Sequence, residues 1–297
     1  MPSRAPIRDW IEYALALGVV KSLEWAPAGA AFRLAEGYVR LLDLAIPRLR
    51  RVARRNLAMA LPGTSAEPVI DGMFRSVARL LVTVSKFPAI GQHNLDRWIR
   101  CEGAGYVEEA LRCGHGVLFA TAHLGNWELS AYAWALFGRP MSVVARPLDN
   151  PLIDRLVERR RTGSGNRVIS KREAARPILK ALAANQAVGI LIDQNASPES
   201  GVFVDFFGVP ACAGTGFAKL ASHSGAAVIP GFALWSEEEH RYVLRFYPPL
   251  EMTGDAARDT EALHKRLEAV VRAHPDQWLW MHRRWKTRPP GAPPLYQ

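Results

Sequence analysis

From about residue 100 onward, short uninterrupted apolar runs alternate with longer segments of helical period. Two runs matter most: GVLFATA over Gly116–Ala122 and AVGILID over Ala187–Asp193. A strand that is apolar at nearly every position, rather than every second one, is buried on both faces. Parallel sheets covered by helices on either side have such strands. The pattern predicts further strands at Ser142–Arg146, Arg167–Ser170, Gly201–Phe207 and Ala226–Trp235, the last interrupted by Pro230–Gly231. HRYVLRFY over His240–Tyr247 alternates and reads as a strand at the sheet edge. Helices are expected over Asn126–Phe137, with Asn126 as N-cap, and over Asn150–Arg161, Glu173–Ala184, Thr215–Ser224 and Arg258–Ala273. The fold class is α/β, with a central mostly parallel sheet flanked by helices.

The strand ends carry the chemistry. His123 follows the first strand, and Glu128 comes five residues later at a helix start. Arg146 closes the second strand and Asp193 closes AVGILID. In a parallel sheet such ends share one edge, where open α/β sheets collect ligands. A carboxylate near His123 would hold the imidazole in one tautomer, and an imidazole so held can take a proton from a hydroxyl. A guanidinium or backbone N–H nearby would stabilise the oxyanion of acyl transfer. Each residue also has a plain structural reading: His123 as a turn cap, Arg146 in a surface ion pair, Asp193 capping its own turn. No GxSxG elbow is present and no Ser or Cys stands out as a nucleophile, so direct attack by an acceptor fits better than an acyl-enzyme. GVFVDFFG over Gly201–Gly208 offers Phe203, Phe206 and Phe207 as candidates to line an acyl slot, or simply a buried strand.

The N-terminal region differs. Residues 1–46 are Leu/Ala-rich and helical, punctuated by Pro27 and Pro47, and a basic block of Arg48, Arg50, Arg51, Arg54 and Arg55 follows. No apolar stretch approaches the roughly 20 uncharged residues of a membrane span. No secretory signal is evident at the start, MPSRAPIRDW. Over 7–46, helices lying on or dipping into a membrane are expected, with an ordinary amphipathic pair packed on the core as the alternative, and the basic block reads as a juxtamembrane patch or a solvated helix face. A helix is expected over Pro68–Phe87, and the Pro-rich tail 289–297 is expected to be disordered. Three domains follow: 1–60, 61–288 and the tail.

Composition narrows the partners. There are 38 Lys+Arg against 28 Asp+Glu, a net charge of +10 and a pI near 9.9, so anions are attracted. Recognised nucleic-acid motifs are missing and no nucleic acid is expected. Cys101, Cys113 and Cys212 lack metal-ligand spacing and read as small buried residues, and neither metal nor cofactor is expected. The nine Trp include Trp278, Trp280 and Trp285, which suit either a membrane interface or core packing. Arg159, Arg160, Arg161, Arg283, Arg284 and Lys286 are candidate anion contacts or a solvated face.

AHLGNWE, ARPLDNPLIDRL, IDQNASPESGVFVDFFG, AVIPGFAL and HPDQWLWMHRRWKTRP, in that order, resemble the bacterial lipid A biosynthesis (late, or secondary) acyltransferase family. The resemblance runs from about Ile7 to Pro289. It implies a glycerol-3-phosphate acyltransferase-like core with N-terminal membrane-associated helices, 61–288 being the acyltransferase domain. It implies an HX4E motif in His123 and Glu128, with His123 as general base and Glu128 as its partner. Importance for Arg146 and Asp193 is implied too, with oxyanion or substrate binding shared among Arg146, Asp193 and Asn126. The reaction implied moves a fatty acyl chain from acyl carrier protein, or CoA, to a hydroxyl of a lipid A precursor or related glycolipid, in lipopolysaccharide synthesis. The location implied is the cytoplasmic face of the bacterial inner membrane, peripheral or with a single N-terminal anchor, on an anionic membrane surface. Phosphatidylinositol mannoside-type and ornithine-lipid-type acyltransferases, and a lipid esterase or thioesterase using water, are the alternatives.

Overall fold

The computed structural model describes residues 6–296; Met1 to Ala5 of the expected membrane-associated region and Gln297 of the expected tail lie outside them. Four helices come first: α1 (Pro6–Trp25), α2 (Ala28–Ala45), α3 (Pro47–Ala60) and α4 (Ala66–Lys86). Pro27 and Pro47 separate α1, α2 and α3, since proline lacks the N–H an incoming helix would need in its interior. The α/β part then runs β1 (Ile99–Glu102), α5 (Ala104–Arg112), β2 (Val117–Thr121), α6 (Trp127–Leu136), β3 (Ser142–Ala145), α7 (Pro151–Thr162) and β4 (Arg167–Ser170). It continues through α8 (Ala175–Ala183), β5 (Ala187–Leu191), the hairpin β6 (Gly201–Phe206) and β7 (Val209–Gly214), α9 (Gly216–Ser224), β8 (Ala227–Ser236), β9 (Arg241–Phe246) and α10 (Ala256–Ala273).

Among the described residues seven strands form one sheet, in the order β1-β9-β8-β2-β5-β3-β4, and β6 and β7 stand apart. All neighbours are parallel except β8 and β9. The expected break at Pro230–Gly231 is a hand-over instead. β8 runs unbroken, pairing β2 through Ala227–Pro230 and β9 through Gly231–Ser236. Its proline therefore sits where the strand changes partner, and the Pro230 carbonyl still accepts from Tyr247 N at 2.9 Å.

The continuous apolar runs are buried on both faces, as their composition requires. Val117 and Phe119 of β2 pack with α5 and α6, while Leu118 and Ala120 pack with α8 and α9. A third apolar cluster joins α1–α4 and α10 to Phe206, Phe207, Trp278, Trp280 and Trp285.

Several expectations are corrected. β9 is not at the edge: β1, whose charges hid it, pairs parallel along its far side. The three C-terminal tryptophans are wholly buried, so they anchor the core and not a membrane surface. Trp278 and Trp280 meet edge to face at 4.6 Å. The tail is not disordered over 289–296. Tyr296 packs on the cluster of α1–α4, α10 and the C-terminal tryptophans, and its hydroxyl donates to Asn56 Oδ1 at 2.6 Å and accepts from Trp285 N at 3.2 Å. Cys113 is exposed rather than buried. The basic block divides: Arg50 and Arg54 pair with Asp43, Glu67 and Asp71, while Arg48, Arg51 and Arg55 face outward. Arg50 also holds Glu67 at about 2, together with Arg54, whose hydrogen bond is the larger influence.

Candidate active site

β2 and β5 lie side by side with a constant offset of seventy, Val117 opposite Ala187 and Thr121 opposite Leu191. Two residues beyond the last pair, the same offset brings His123 to Asp193. His123 Nδ1 lies 2.9 Å from Asp193 Oδ1, and the backbone N–H of His123 donates to Asp193 Oδ2 at 2.9 Å. Trp278 Nε1 donates to that same Oδ2 at 3.0 Å. The carboxylate is thus held from two sides, and it accepts from Nδ1 of the ring. In the neutral imidazole this leaves Nε2 unprotonated, a proton acceptor. Trp127 meets the His123 ring edge to face at 5.0 Å, and Leu279 N donates to the His123 carbonyl at 3.0 Å.

Electrostatics follow from this packing. Burial works against the imidazolium, but the facing Asp193 carboxylate outweighs it and raises His123 above its ordinary value. Burial likewise works against the Asp193 anion. His123, and the hydrogen bonds from it and Trp278, outweigh that and hold Asp193 well below the usual carboxylate range.

Glu128, expected to orient His123, does not. It stands in the first turn of α6 and takes Arg161 of α7 bidentately, Oε2 from Nε at 2.8 Å and Oε1 from Nη2 at 2.5 Å. The turn that precedes it is pinned elsewhere. Gly125 has φ +62°, and a Cβ there would collide with the Ala233 carbonyl. Its N–H donates to Gln277 O at 2.9 Å, and Asn126 N donates to Ala233 O at 2.8 Å. Nearness in sequence therefore misled: the neighbouring strand supplies the ring's partner.

His123 opens into a cleft of about 1000 Å³ at the carboxyl ends of β2, β3 and β5, lined also by Arg146, Leu148, Arg161, Lys171 and Gln194. Arg146 stands on its lip, 69% exposed and 3.1 Å from Asp149, the surface ion pair of its plain structural reading. A narrower apolar slot of about 710 Å³ adjoins the cleft, sharing Trp127, Val144, Ala145, Arg161 and Leu191 with it. It runs between the sheet and α6, past Phe119, Gly189, Trp134, Met141 and Phe246.

The family model for bacterial lipid A biosynthesis acyltransferases matches residues 2–287. The chain belongs to that family. It is an acyltransferase. It is 29% identical over 295 residues to the lipid A biosynthesis lauroyltransferase of Escherichia coli K12, covering 97% of this chain and 95% of the relative. Identity to the palmitoleoyltransferase of the same strain is 31% over 267 residues, 86% of each chain. To its myristoyltransferase it is 25% over 247 residues, 82% of this chain and 76% of the relative.

Within this acyltransferase, other expected site residues lie apart from the cleft. Asn126 is wholly buried and caps α6, its Oδ1 accepting from Leu129 N at 3.0 Å. Phe206 and Phe207 are buried among the C-terminal tryptophans, and Phe203 is partly exposed, so none of the three lines the slot. The β6–β7 connection explains their burial. Phe207 and Gly208 both have positive φ, the geometry of a two-residue hairpin turn, which folds Phe206 back opposite Val209. Arg284, a candidate anion contact, is buried instead, donating to Cys212 O at 2.6 Å, with burial pushing its guanidinium down to about 10. Arg160 is held by Glu24 of α1 at 2.5 Å. Two partners escaped the sequence reading: Arg161 as the mate of Glu128, and Trp278 as the second donor to Asp193. The constant offset between β2 and β5 would have found the His123–Asp193 contact, had the strand order been known.

Proposed function

We propose that the enzyme transfers a fatty acyl chain from an acyl thioester to a hydroxyl of a lipid A precursor or related glycolipid, with His123 as general base. The observation that carries this reading is the His123–Asp193 contact at the mouth of a cleft that continues into an apolar slot. The acceptor hydroxyl would give its proton to Nε2 as its oxygen attacks the thioester carbonyl. Asp193 would steady the resulting imidazolium without itself being protonated. The tetrahedral oxyanion would form beside positive charge on the cleft wall, where Arg146 and Lys171 stand. As the carbon–sulfur bond breaks, the imidazolium would return its proton to the leaving thiolate. The acyl tail would occupy the slot beside α6. Glu128 and Arg161, at the junction of slot and cleft, would fix the wall between tail and reacting carbonyl. This gives the HX4E motif a positioning role for its Glu. The names of the E. coli relatives, which differ in acyl group, support lipid A as the acceptor class and variation in the slot.

Attachment to a membrane belongs to the same reading. No helix among the described residues is long and apolar enough to cross one. α1 and α2 nonetheless leave Ile7, Trp10, Ile11, Leu15, Trp25, Leu41 and Leu44 largely exposed. Asn150, in the loop that carries Arg146, donates to Asp9 O at 2.9 Å and to Glu12 Oε2 at 3.1 Å on α1. An interface resting on α1 would therefore lie next to the cleft mouth, where a lipid acceptor enters. The cytoplasmic face of the inner membrane suits such a surface.

The test is acyl transfer by the purified protein, with an acyl thioester and a lipid A precursor in mixed micelles, read by mass spectrometry of the lipid. Transfer that His123→Ala abolishes supports the reading. Thioester hydrolysis at the same rate without acceptor would replace it with a thioesterase.

A further inference from the structure

The net charge of +10 is unevenly used. Many arginines are spent on internal pairs: Arg50 and Arg54 with Glu67, Arg100 with Glu102 and Glu239, Arg160 with Glu24, Arg161 with Glu128, Arg245 with Glu102. A groove of about 1770 Å³ between α8 and α9 differs. Lys171, Arg172, Arg176, Lys219 and His223 line it, against one acid, Glu173. All four Lys and Arg side chains are exposed, and none makes an ion pair or side-chain hydrogen bond among the described residues. Lys171 lines both this groove and the His123 cleft, so the two adjoin at that side chain.

We propose that this groove docks the carrier of the acyl donor, a small protein of acidic surface that presents the acyl thioester at the end of an arm. The proposal rests on the acyl-transfer reading above. Charge complementarity selects the partner class, since uncompensated cations beside a reacting cleft steer an acidic protein toward it. Position separates donor from acceptor. α1, with its exposed apolar residues, packs on α4 and α7. α8 and α9 cover the opposite face of the sheet, in one cluster with Leu118, Ala120 and Val188. A lipid lying along α1 thus approaches His123 from one side of the sheet edge, and the groove leads in from the other. The thioester arm would pass Lys171 to reach the imidazole.

The experiment uses the full-length chain carrying Arg172→Glu, Arg176→Glu and Lys219→Glu together, with Lys171 retained because it lines the cleft. Two donors are compared at low salt with one acceptor: the acyl carrier protein thioester, and the same acyl group on N-acetylcysteamine, which is small and uncharged. The KM for the carrier should rise about tenfold or more, with kcat and all kinetics on the small thioester unchanged. Added salt should raise the carrier KM of the parent enzyme but hardly that of the variant. The charge-preserving set Arg172→Lys, Arg176→Lys and Lys219→Arg should behave as the parent. Equal losses with both donors, or an unchanged carrier KM, overturn the proposal. So does a rise in KM for the lipid acceptor alone, which would assign the groove to lipid phosphates. Binding of fluorescently labelled carrier, measured without turnover, decides the docking separately. If the parent enzyme binds carrier through these residues yet transfers nothing from either thioester, the acyl-transfer reading fails and the groove stands.

Discussion

The Asp193 carboxylate accepts from three groups at once: the His123 ring, the His123 backbone and the Trp278 indole. Such a carboxylate is fixed in place, and the ring it holds is fixed with it. A general base works only when neutral, and His123 titrates above its ordinary value because the facing carboxylate outweighs the effect of burial. In the proposed reaction kcat/KM should therefore rise with pH and level off above the ordinary histidine range of about 6.5. Asp193→Asn removes the charge that stabilises the imidazolium. The rising limb should move to lower pH while the plateau falls by about 10²–10⁴-fold. An unmoved limb would show that the two groups are not electrostatically coupled. Glu128 acts on His123 only through space, its oxygens being taken by Arg161. Glu128→Gln should therefore move the limb less than Asp193→Asn does, and should lower thermal stability by about 1–3 kcal/mol as the partly buried Arg161 loses its counter-charge. A larger limb shift from Glu128→Gln would reverse the two roles. His123 was legible in the sequence because it ends an apolar run. Its partner was not, because a carboxylate seventy residues away becomes a neighbour only through strand order.

At the scale of elements, the same register puts Gly189 of β5 opposite Phe119 of β2, on the sheet face toward α6. The missing side chain leaves room in the slot. A Cβ at Gly189 would come 2.6 Å from Met141 Cε, the mobile end of a flexible side chain, so Met141 would have to shift within the slot. Gly189→Ala should leave the fold intact and shorten the acyl chain the enzyme prefers. Competition among acyl donors of different length, read by mass spectrometry of the product, checks this. An unchanged product distribution would remove the slot from acyl binding. In the sequence the glycine of AVGILID is only part of a strand, since a cavity is a property of facing elements. The strands that the sequence did disclose are those with strong apolar runs. β1, IRCE, escaped because Arg100 and Glu102 look like loop residues until Glu239 and Arg245 arrive beside them. β7, VPACAG, escaped because its Pro and Gly read as turn formers, while its pairing with β6 depends on the tight turn at Phe207 and Gly208.

For the molecule as a whole, composition announced an attraction to anions but could not say where the charge was free. Folding spends Arg50 and Arg54 on α4 and Asp43, and leaves Arg48, Arg51 and Arg55 outward at the end of the helical layer that also exposes the apolar residues of α1 and α2. In the proposed attachment to a membrane the two features would reinforce each other at an anionic bilayer. Apolar side chains would enter the headgroup boundary, and each nearby cation would add about 1 kcal/mol at a charged surface. Trp10, Ile11 and Leu15 are each more than half exposed, so their replacement takes little from the folded core. The triple variant Trp10→Ser, Ile11→Ser and Leu15→Ser should keep the parent's melting temperature, lose most sedimentation with vesicles of anionic phospholipid, and retain transfer to a detergent-dispersed acceptor. Loss of binding that tracks a fall in melting temperature would instead make this face part of the fold's own packing. Vesicle binding unchanged by the substitutions would move membrane contact to another surface. High salt supplies the complementary reading: it should weaken the contribution of Arg48, Arg51 and Arg55 while leaving the apolar part, so the variant in high salt should bind least of all.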